Sequence, residues 1–464
     1  MNRPLIAFPV FMGLFFGLLL MLGGLPLMVL AVAAVTMGAI VMTKPLRGLL
    51  LFCLIAPAVP WSVVNLGVRI TVSEALLVLT WMGVLWQRLM GDPALQTRLA
   101  PRLAPEQRMI WLMIWSLVPL IVGQLMVQAE GSGPVNWVRW LLNLSLLFLV
   151  PLLTPDAQRR DRMMVCLLLG YLGLLALSLG VFLKTRDSRA MIPILSSLHY
   201  AHPEALEDIF SADYTRMASP WVHPNATGGA LLLGVPLALF YGVAHQGWRR
   251  WLGFTVAIGG AAGIVFSGSR GALLCLGLLV VWLASRRVPY AGRMLVAGAL
   301  AASAMLMFYP PAQQRFVSLF SSGDVSTGVR FDEYSRYPEA VARFPLGVGF
   351  KIDPPPPNTG LIGISNLWLN YMYKLGFPGM VLFIAITLAW WREVRHFGDP
   401  SHITPANAMR IGSAGAIVAA LMTGFIDHYY SFTQVLLALF WMIMAISLQE
   451  ARQPITAPSP PKVP

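Results

Sequence analysis

The sequence predicts an all-α polytopic membrane protein with about 12–14 transmembrane helices, given that a helix needs roughly 20 apolar residues to cross the hydrocarbon. Three observations predict it. Apolar residues make up 57% of the 464 positions and charged residues only 11%, where an ordinary soluble domain carries roughly 25% charged residues. Apolar stretches of near-span length recur along most of the chain. Basic residues concentrate in alternate connections between those stretches. The first observation excludes a soluble enzyme, a disordered chain and a coiled coil, because too few polar side chains exist to cover a water-facing globule. The formal charge of +13, from 33 Lys+Arg against 20 Asp+Glu, would point to nucleic acid in a soluble protein. In a membrane protein it bears first on orientation, and no nucleic-acid partner is expected.

The candidate spans are, in order, 5–22, 27–43, 48–60, 72–87, 109–127, 137–153, 163–183, 225–244, 251–267, 271–284, 294–309, 366–390, 408–424 and 431–448. The first has the look of a signal peptide, but a second apolar stretch follows after only Gly23-Gly24-Leu25-Pro26, which favours a retained anchor. The third and tenth are short. With the N-terminus inside, the inner loops hold Lys44 and Arg47; Arg88, Arg98, Arg102 and Arg108; Arg159, Arg160 and Arg162; Arg249 and Arg250; Arg286, Arg287 and Arg293; and Arg392 and Arg395. The short outer loops hold Arg69 and Arg270. This alternation places both termini on the cytoplasmic side. The chain reads as one integral membrane domain over 1–448, followed by a Pro-rich cytoplasmic tail at 449–464.

Two longer loops fall on the outer, periplasmic side. Segment 184–224 has four basic and five acidic residues, and 310–365 has five of each. Residues 339–344 (EAVARF) are expected to form a short amphipathic helix after Pro338, and 353–360 (DPPPPNTG) an extended loop. No internal repeat is visible. Cys53, Cys166 and Cys275 sit in apolar stretches without metal-ligand spacing. No phosphate-binding glycine loop occurs, so no cofactor and no metal site are expected.

Polar groups in or near hydrocarbon are costly and are functional candidates by default. Those that orientation does not explain are Arg69, Arg139, Arg216, His223, Asn225, Arg270, Arg330, Lys374, Asp427 and His428, all in outer loops or outer halves of spans. Asn225 could cap the helix it begins. Ser269 could cap the helix after the tight turn 267–271, which holds Arg270 at a helix N-terminus, where backbone N–H groups and a guanidinium can grip an anion together. Lys374 lies too deep in its span to reach the surface easily, so it needs a partner or a cavity. Asp427 could orient His428 as half of an acid–base pair, or could pair with a nearby arginine.

These residues resemble those of the bacterial O-antigen ligase and O-antigen polymerase superfamily of membrane glycosyltransferases. The resemblance covers roughly 65–448. It rests on HPN at 223–225, SGSRGA at 267–272, Arg330 with Tyr334 four residues on, FPLGVGF at 344–350, SNLWLNYMYKLGFPG at 365–379 and DHYYSF at 427–432. It implies a GT-C-like fold and transfer of glycan from an undecaprenyl-pyrophosphate carrier to a hydroxyl of a glycan or lipid acceptor on the periplasmic face. It also implies a metal-independent, inverting reaction. Arg270 and Arg330 match the family's arginines and would neutralise the departing pyrophosphate. His428 with Asp427, or else His223, would serve the acceptor proton. His223, Asn225, Ser269, Tyr334, Asn366, Lys374, Arg139 and Arg69 would line the substrate site.

The sequence departs from the ligase pattern at Ser365, where ligases place a histidine before the asparagine, and at Lys374, where they place an acidic residue before the glycine of GxxG. Both departures favour a polymerase-type role over a ligase-type one, in O-antigen or exopolysaccharide assembly. The bilayer, and a chain-length regulator or other assembly proteins, are the expected partners. The competing readings are a flippase for lipid-linked oligosaccharide and a non-catalytic glycan-assembly partner.

Overall fold

The computed structural model describes residues 21–453 apart from 22–23, 26–27, 30, 62–63, 66–68, 92–101, 127–132, 186–191, 198–215, 219, 222, 309, 311–312, 314–324, 351–360, 362 and 397–399. The helices are α1 (Ala31–Thr43), α2 (Pro45–Ile55), α3 (Val72–Leu89), α4 (Ala104–Leu125), α5 (Gly133–Leu153) and α6 (Ala157–Thr185). They continue with α7 (Pro224–Ala244), α8 (Trp248–Ser267), α9 (Arg270–Ser285), α10 (Ala291–Phe308) and α11 (Val325–Arg343). They end with α12 (Leu367–Val394), α13 (Pro405–Thr423) and α14 (Gln434–Ala451); two short helices, Ile192–Ser197 and Tyr429–Phe432, lie in the connections. Each predicted span from 27–43 onward meets one of these helices. The first, 5–22, lies almost wholly outside the described residues, as does the tail beyond 453. Seven helices (α4, α5, α6, α7, α8, α12 and α14) are long and apolar enough to cross a membrane, and α1, α2, α9 and the first part of α10 are shorter apolar helices. The protein is therefore an all-α polytopic membrane protein. Its described strand content is a two-residue antiparallel pairing of Val64–Asn65 with Arg69–Ile70.

Local chemistry sets the helix ends. Thr71 and Glu74 form a capping box at the start of α3: Glu74 N donates to Thr71 Oγ1 at 3.1 Å, and Thr71 N to Glu74 Oε2 at 2.9 Å. Gly268, at φ 59°, ends α8 in the left-handed conformation. Ser269 then caps α9, as expected, accepting from Ala272 N at 3.4 Å. Helices α7 and α14 form the centre of the bundle, each with 83% of its span window buried, against 28% for α4. The backbones of α7 and α8 meet through Gly242 and Gly253, where a Cβ at Gly253 would lie 2.6 Å from Gly242 Cα.

One helix is broken. Gly376 adopts φ 70° and ψ 178° inside α12, followed closely by Pro378. A break in a membrane helix frees carbonyls that lipid cannot satisfy. Here the segment 344–350 satisfies them. Val348 N donates to Tyr373 O and Gly349 N to Lys374 O, both at 3.0 Å. Trp115 Nε1 donates to Leu375 O at 2.7 Å. Close approach requires glycine: a Cβ at Gly347, which has φ 92°, would lie 2.5 Å from Lys374 O. The motifs FPLGVGF and YKLGFPG are thus two halves of one joint.

The region expected to be a short helix after Pro338 is different. Helix α11 begins at Val325 and runs through Pro338. Pro338 removes one N–H, but Tyr334 and Tyr337 fasten the helix to the start of α12 by hydroxyl donation to Ser365 O (3.3 Å) and Leu369 O (3.2 Å). Segment 353–360 lies outside the described residues.

The two ends of the bundle differ in composition. One carries the arginine-rich short connections, and its ion pairs tie distant helices together: Arg160 with Glu450 at 3.1 Å, Arg452 with Glu106 at 2.7 Å and Arg249 with Asp161 at 2.9 Å. Buried Arg410 donates to the carbonyls of His396 (2.9 Å), Glu450 (2.5 Å) and Gln453 (2.7 Å). Gln449 donates to Thr154 O. The other end holds the start of α7, the α8–α9 turn, helix α11 and the turn 424–433.

Candidate functional site

At this second end, four chain segments converge on Asp427. The guanidinium of Arg330, on α11, stands 3.8 Å from Asp427 Oδ2. His428 N donates to Asp427 Oδ1 at 2.8 Å, and His428 Nδ1 lies 3.5 Å from the same oxygen, too far for a made hydrogen bond. That Nδ1 is buried and has no hydrogen-bond partner among the described residues. Tyr429 is buried beside Asp427 and Ser269; burial, reinforced by the Asp427 charge, pushes its phenol up. The adjoining α8–α9 turn packs on the same loop, since a Cβ at Gly271 would sit 3.2 Å from Ile426. Arg270, the first residue of α9, is half-buried there.

The third segment is the start of α7. The expected cap Asn225 is not the cap. His223 holds that position, with Nδ1 accepting from Asn225 N at 3.2 Å. Asn225 Oδ1 instead accepts from Arg216 at 2.7 Å, and Arg216 Nε donates to Ser267 O at 2.8 Å. Burial first, then the Arg216 charge, with His428 and Arg330 adding in the same direction, push His223 down to about 4, against an opposing pull from Asp427. The His223 side chain is exposed, so water moderates the burial contribution, while the neighbouring cations act in the same direction. Because Nδ1 accepts, the neutral ring carries its proton on Nε2.

The fourth segment, 363–366, leads into α12. Asn366 caps that helix, accepting from Trp368 N and Leu369 N at 3.0 Å. Glu333, on α11, accepts from Ser365 N at 2.7 Å, and Tyr334 donates to Ser365 O. Arg330, Glu333, Tyr334 and Tyr337 thus form one stripe of α11, spaced at i, i+3, i+4 and i+7, laid against the site. A Cβ at Gly363 would lie 3.7 Å from His428 Nε2. Asn370 Nδ2, one turn into α12, donates to Ser431 Oγ at 2.8 Å.

The structure therefore brings together Arg330, Asp427, His428, His223, Asn225 and Ser269, with Tyr334 and Asn366 beside them through Ser365. Arg139 is engaged elsewhere: it makes a bidentate pair with buried Glu74, at 3.0 and 2.9 Å. Lys374 is buried in the joint at the break in α12, with Nζ 5.3 Å from the Tyr373 ring centroid. Arg69 is placed by backbone pairing with Asn65, and its side chain lies outside the described residues. Sequence reasoning marked Arg216 without giving it a role, and it passed over Glu333, Tyr429 and Asn370. The stripe on α11 is readable in its spacing once the helix is extended upstream of Pro338.

Fold and site together define a multi-pass membrane protein with a cation-bearing polar centre at one end of its bundle. Residues 254–384 match the family model described as O-antigen ligase. This match supports the O-antigen ligase-like superfamily, and at family level glycan transfer of the ligase or polymerase type. The matched region runs from α8 into α12 and includes Arg270, Arg330, Tyr334, Asn366 and Lys374, while His223, Asp427 and His428 lie outside it. Among curated proteins, none matches the chain.

Proposed function

We propose that the protein is a polymerase-type glycosyltransferase of the bacterial inner membrane, which moves glycan from undecaprenyl pyrophosphate to an acceptor hydroxyl on the periplasmic face. The concentration of Lys and Arg in the connections at the opposite end supports this orientation, with both termini cytoplasmic. The observation that carries the proposal is that the guanidiniums of Arg330, on Asp427, and Arg216, on Asn225, meet His223 and His428 at one end of the bundle. A departing pyrophosphate needs fixed positive charge aimed at its oxygens, and preorganised charge of this kind often contributes more to catalysis than any other single effect.

In this reading the acceptor oxygen attacks the anomeric carbon of the donor sugar. The bond between that carbon and the pyrophosphate oxygen breaks, its electron pair leaves on the pyrophosphate, and the new glycosidic bond forms with inversion. Arg330 and Arg270 hold the leaving phosphates. His428 takes the acceptor proton on Nε2, and Asp427 holds a proton on Nδ1; the 3.5 Å separation closes when substrate binds. His223 is the less suitable base, because its Nδ1 is occupied by Asn225 N and its Nε2 carries a proton. It serves instead as a neutral donor to a phosphate or sugar oxygen.

Proteoliposomes holding the purified protein and undecaprenyl-pyrophosphate-linked repeat units test this. A ladder of products on a gel is expected. A single block transferred to a lipid acceptor would make it a ligase, and no product from folded protein would overturn the proposal.

A further inference from the structure

The geometry points to a sugar-binding subsite for the acceptor glycan on helix α11, built from Phe331, Glu333 and Tyr334. It rests on the transfer reading above and adds to it where the acceptor is held. Phe331 is 78% exposed, and Tyr334 is 38% exposed. They are three residues apart on one helix, so their side chains neighbour one another. The Tyr334 ring is fixed by its hydroxyl bond to Ser365 O. Glu333 Oε2 is fixed by Ser365 N at 2.7 Å, and no partner is described for its other oxygen.

Two exposed aromatic faces beside an anchored carboxylate match the chemistry of a pyranose. Its axial C–H groups form an apolar face that stacks on rings, and its hydroxyls donate to carboxylate oxygens. The location puts acceptor beside donor. His428 Nε2 faces Gly363, and the 363–365 segment it faces is the one Glu333 and Tyr334 grip. Arg330, one turn before Tyr334 on the same stripe of α11, stands 3.8 Å from Asp427. An acceptor sugar resting on Phe331 and Tyr334 is therefore about one helical turn from the guanidinium that would hold the phosphates, beside the segment that His428 faces.

The test uses full-length protein in nanodiscs and, as probe, the oligosaccharide released by mild acid from the lipid-linked repeat units of the parent cell. Saturation-transfer NMR should show sugar C–H protons receiving saturation from wild type. Phe331→Ala should weaken binding at least fivefold and Glu333→Gln at least threefold, while Phe331→Tyr, which keeps the ring, stays within twofold of wild type. In transfer assays at saturating donor, Phe331→Ala should raise the acceptor KM at least tenfold, leaving kcat and the donor KM within threefold. Unchanged sugar affinity and acceptor KM in Phe331→Ala and Glu333→Gln would overturn the subsite. So would relaxation of a fluorine-labelled Phe331 by a lipid-embedded paramagnetic chelate, which would make it a membrane anchor. Sugar binding by a wild type that transfers nothing would instead overturn the transfer reading and leave the subsite standing.

Discussion

At the arginine-rich end of the bundle, Arg160 meets Glu450 at 3.1 Å, Arg452 meets Glu106 at 2.7 Å, and Arg410 reaches the carbonyls of His396, Glu450, Ala451 and Gln453. At the other end, Arg330 stands 3.8 Å from Asp427, His428 Nδ1 lacks a hydrogen-bond partner among the described residues, and Arg216 binds the neutral oxygens of Ser267 and Asn225. The first arrangement has short bonds between elements far apart in sequence and fastens helix ends. The second holds Arg330 at a longer distance from its carboxylate and leaves the His428 Nδ1 without a hydrogen-bond partner among the described residues. Charge bonded at short distance across distant elements holds a fold together; charge held at a longer distance beside a polar centre is placed to meet an anion. On the proposed function, this difference would separate structural from functional arginines in a chain with 33 basic residues.

The comparison breaks most visibly at His428. Replacement by Gln keeps the shape and removes the basic nitrogen, so transfer should fall about 10²–10⁴-fold, the usual worth of a positioned base. The rate in proteoliposomes measures this, and a loss under about tenfold would mean that the base lies elsewhere.

Arg139 tests the boundary between the two kinds of charge. It sits near the functional end but is paired with a carboxylate only 1% exposed. Glu74→Gln should therefore destabilise by about 1–3 kcal/mol, because it leaves a half-buried guanidinium without its carboxylate. The double replacement Glu74→Gln with Arg139→Met, which keeps an acceptor for the Thr71 N–H, should recover most of this. Thermal unfolding reads both, and a Glu74→Gln protein that unfolds like wild type but loses donor binding would move Arg139 into the site.

The joint at α12 should respond next. Gly376→Ala forces a side chain into φ 70°, with its Cβ 2.6 Å from the Leu346 carbonyl carbon, and should cost at least about 1–3 kcal/mol. Lower thermal stability of the purified protein checks it. The smallest effect belongs to His223. With its pKa pushed down to about 4, below the ordinary 6.5, the neutral ring is the form the fold favours. Its stabilising contribution is complete above about pH 6.5 and is lost as pH falls through about 4. Nitrogen-15 spectra of labelled histidine should show it unprotonated at pH 5.5, and titration near 6.5 would contradict the cationic surroundings.

The spans were legible because apolar runs and arginine-rich connections each repeat with the crossing, and the two signals agree. The site was partly legible. His223, Arg270, Arg330, Asp427 and His428 stood out as polar groups without a topological reason, and they fall at one end of the bundle. Pairings over long separations were not legible. Nothing local ties Arg139 to Glu74, 65 residues away, or tells that segment 344–350 caps the break at Gly376. Glycine and proline at 376–379 marked a weak point in the helix, but what fills it is a tertiary fact. Helix α11 was not legible upstream of Pro338, because a proline reads as a helix start, while tertiary bonds from Tyr334 and Tyr337 hold the helix across that residue.

The central claim is that the two ends use their arginines differently, and one paired measurement tests it most directly. Arg330→Ala and Arg160→Ala are compared in the same proteoliposomes for glycan transfer and in the same detergent for thermal unfolding. Arg330→Ala should lose transfer by about 10²–10³-fold, as expected for removal of a group that stabilises developing charge, with its unfolding temperature near that of wild type. Arg160→Ala should keep transfer within about threefold and lose stability, by about 1.5–3 kcal/mol if the charged hydrogen bond to Glu450 is worth the usual amount. Equal loss of transfer in both variants, or full transfer by Arg330→Ala, would contradict the account.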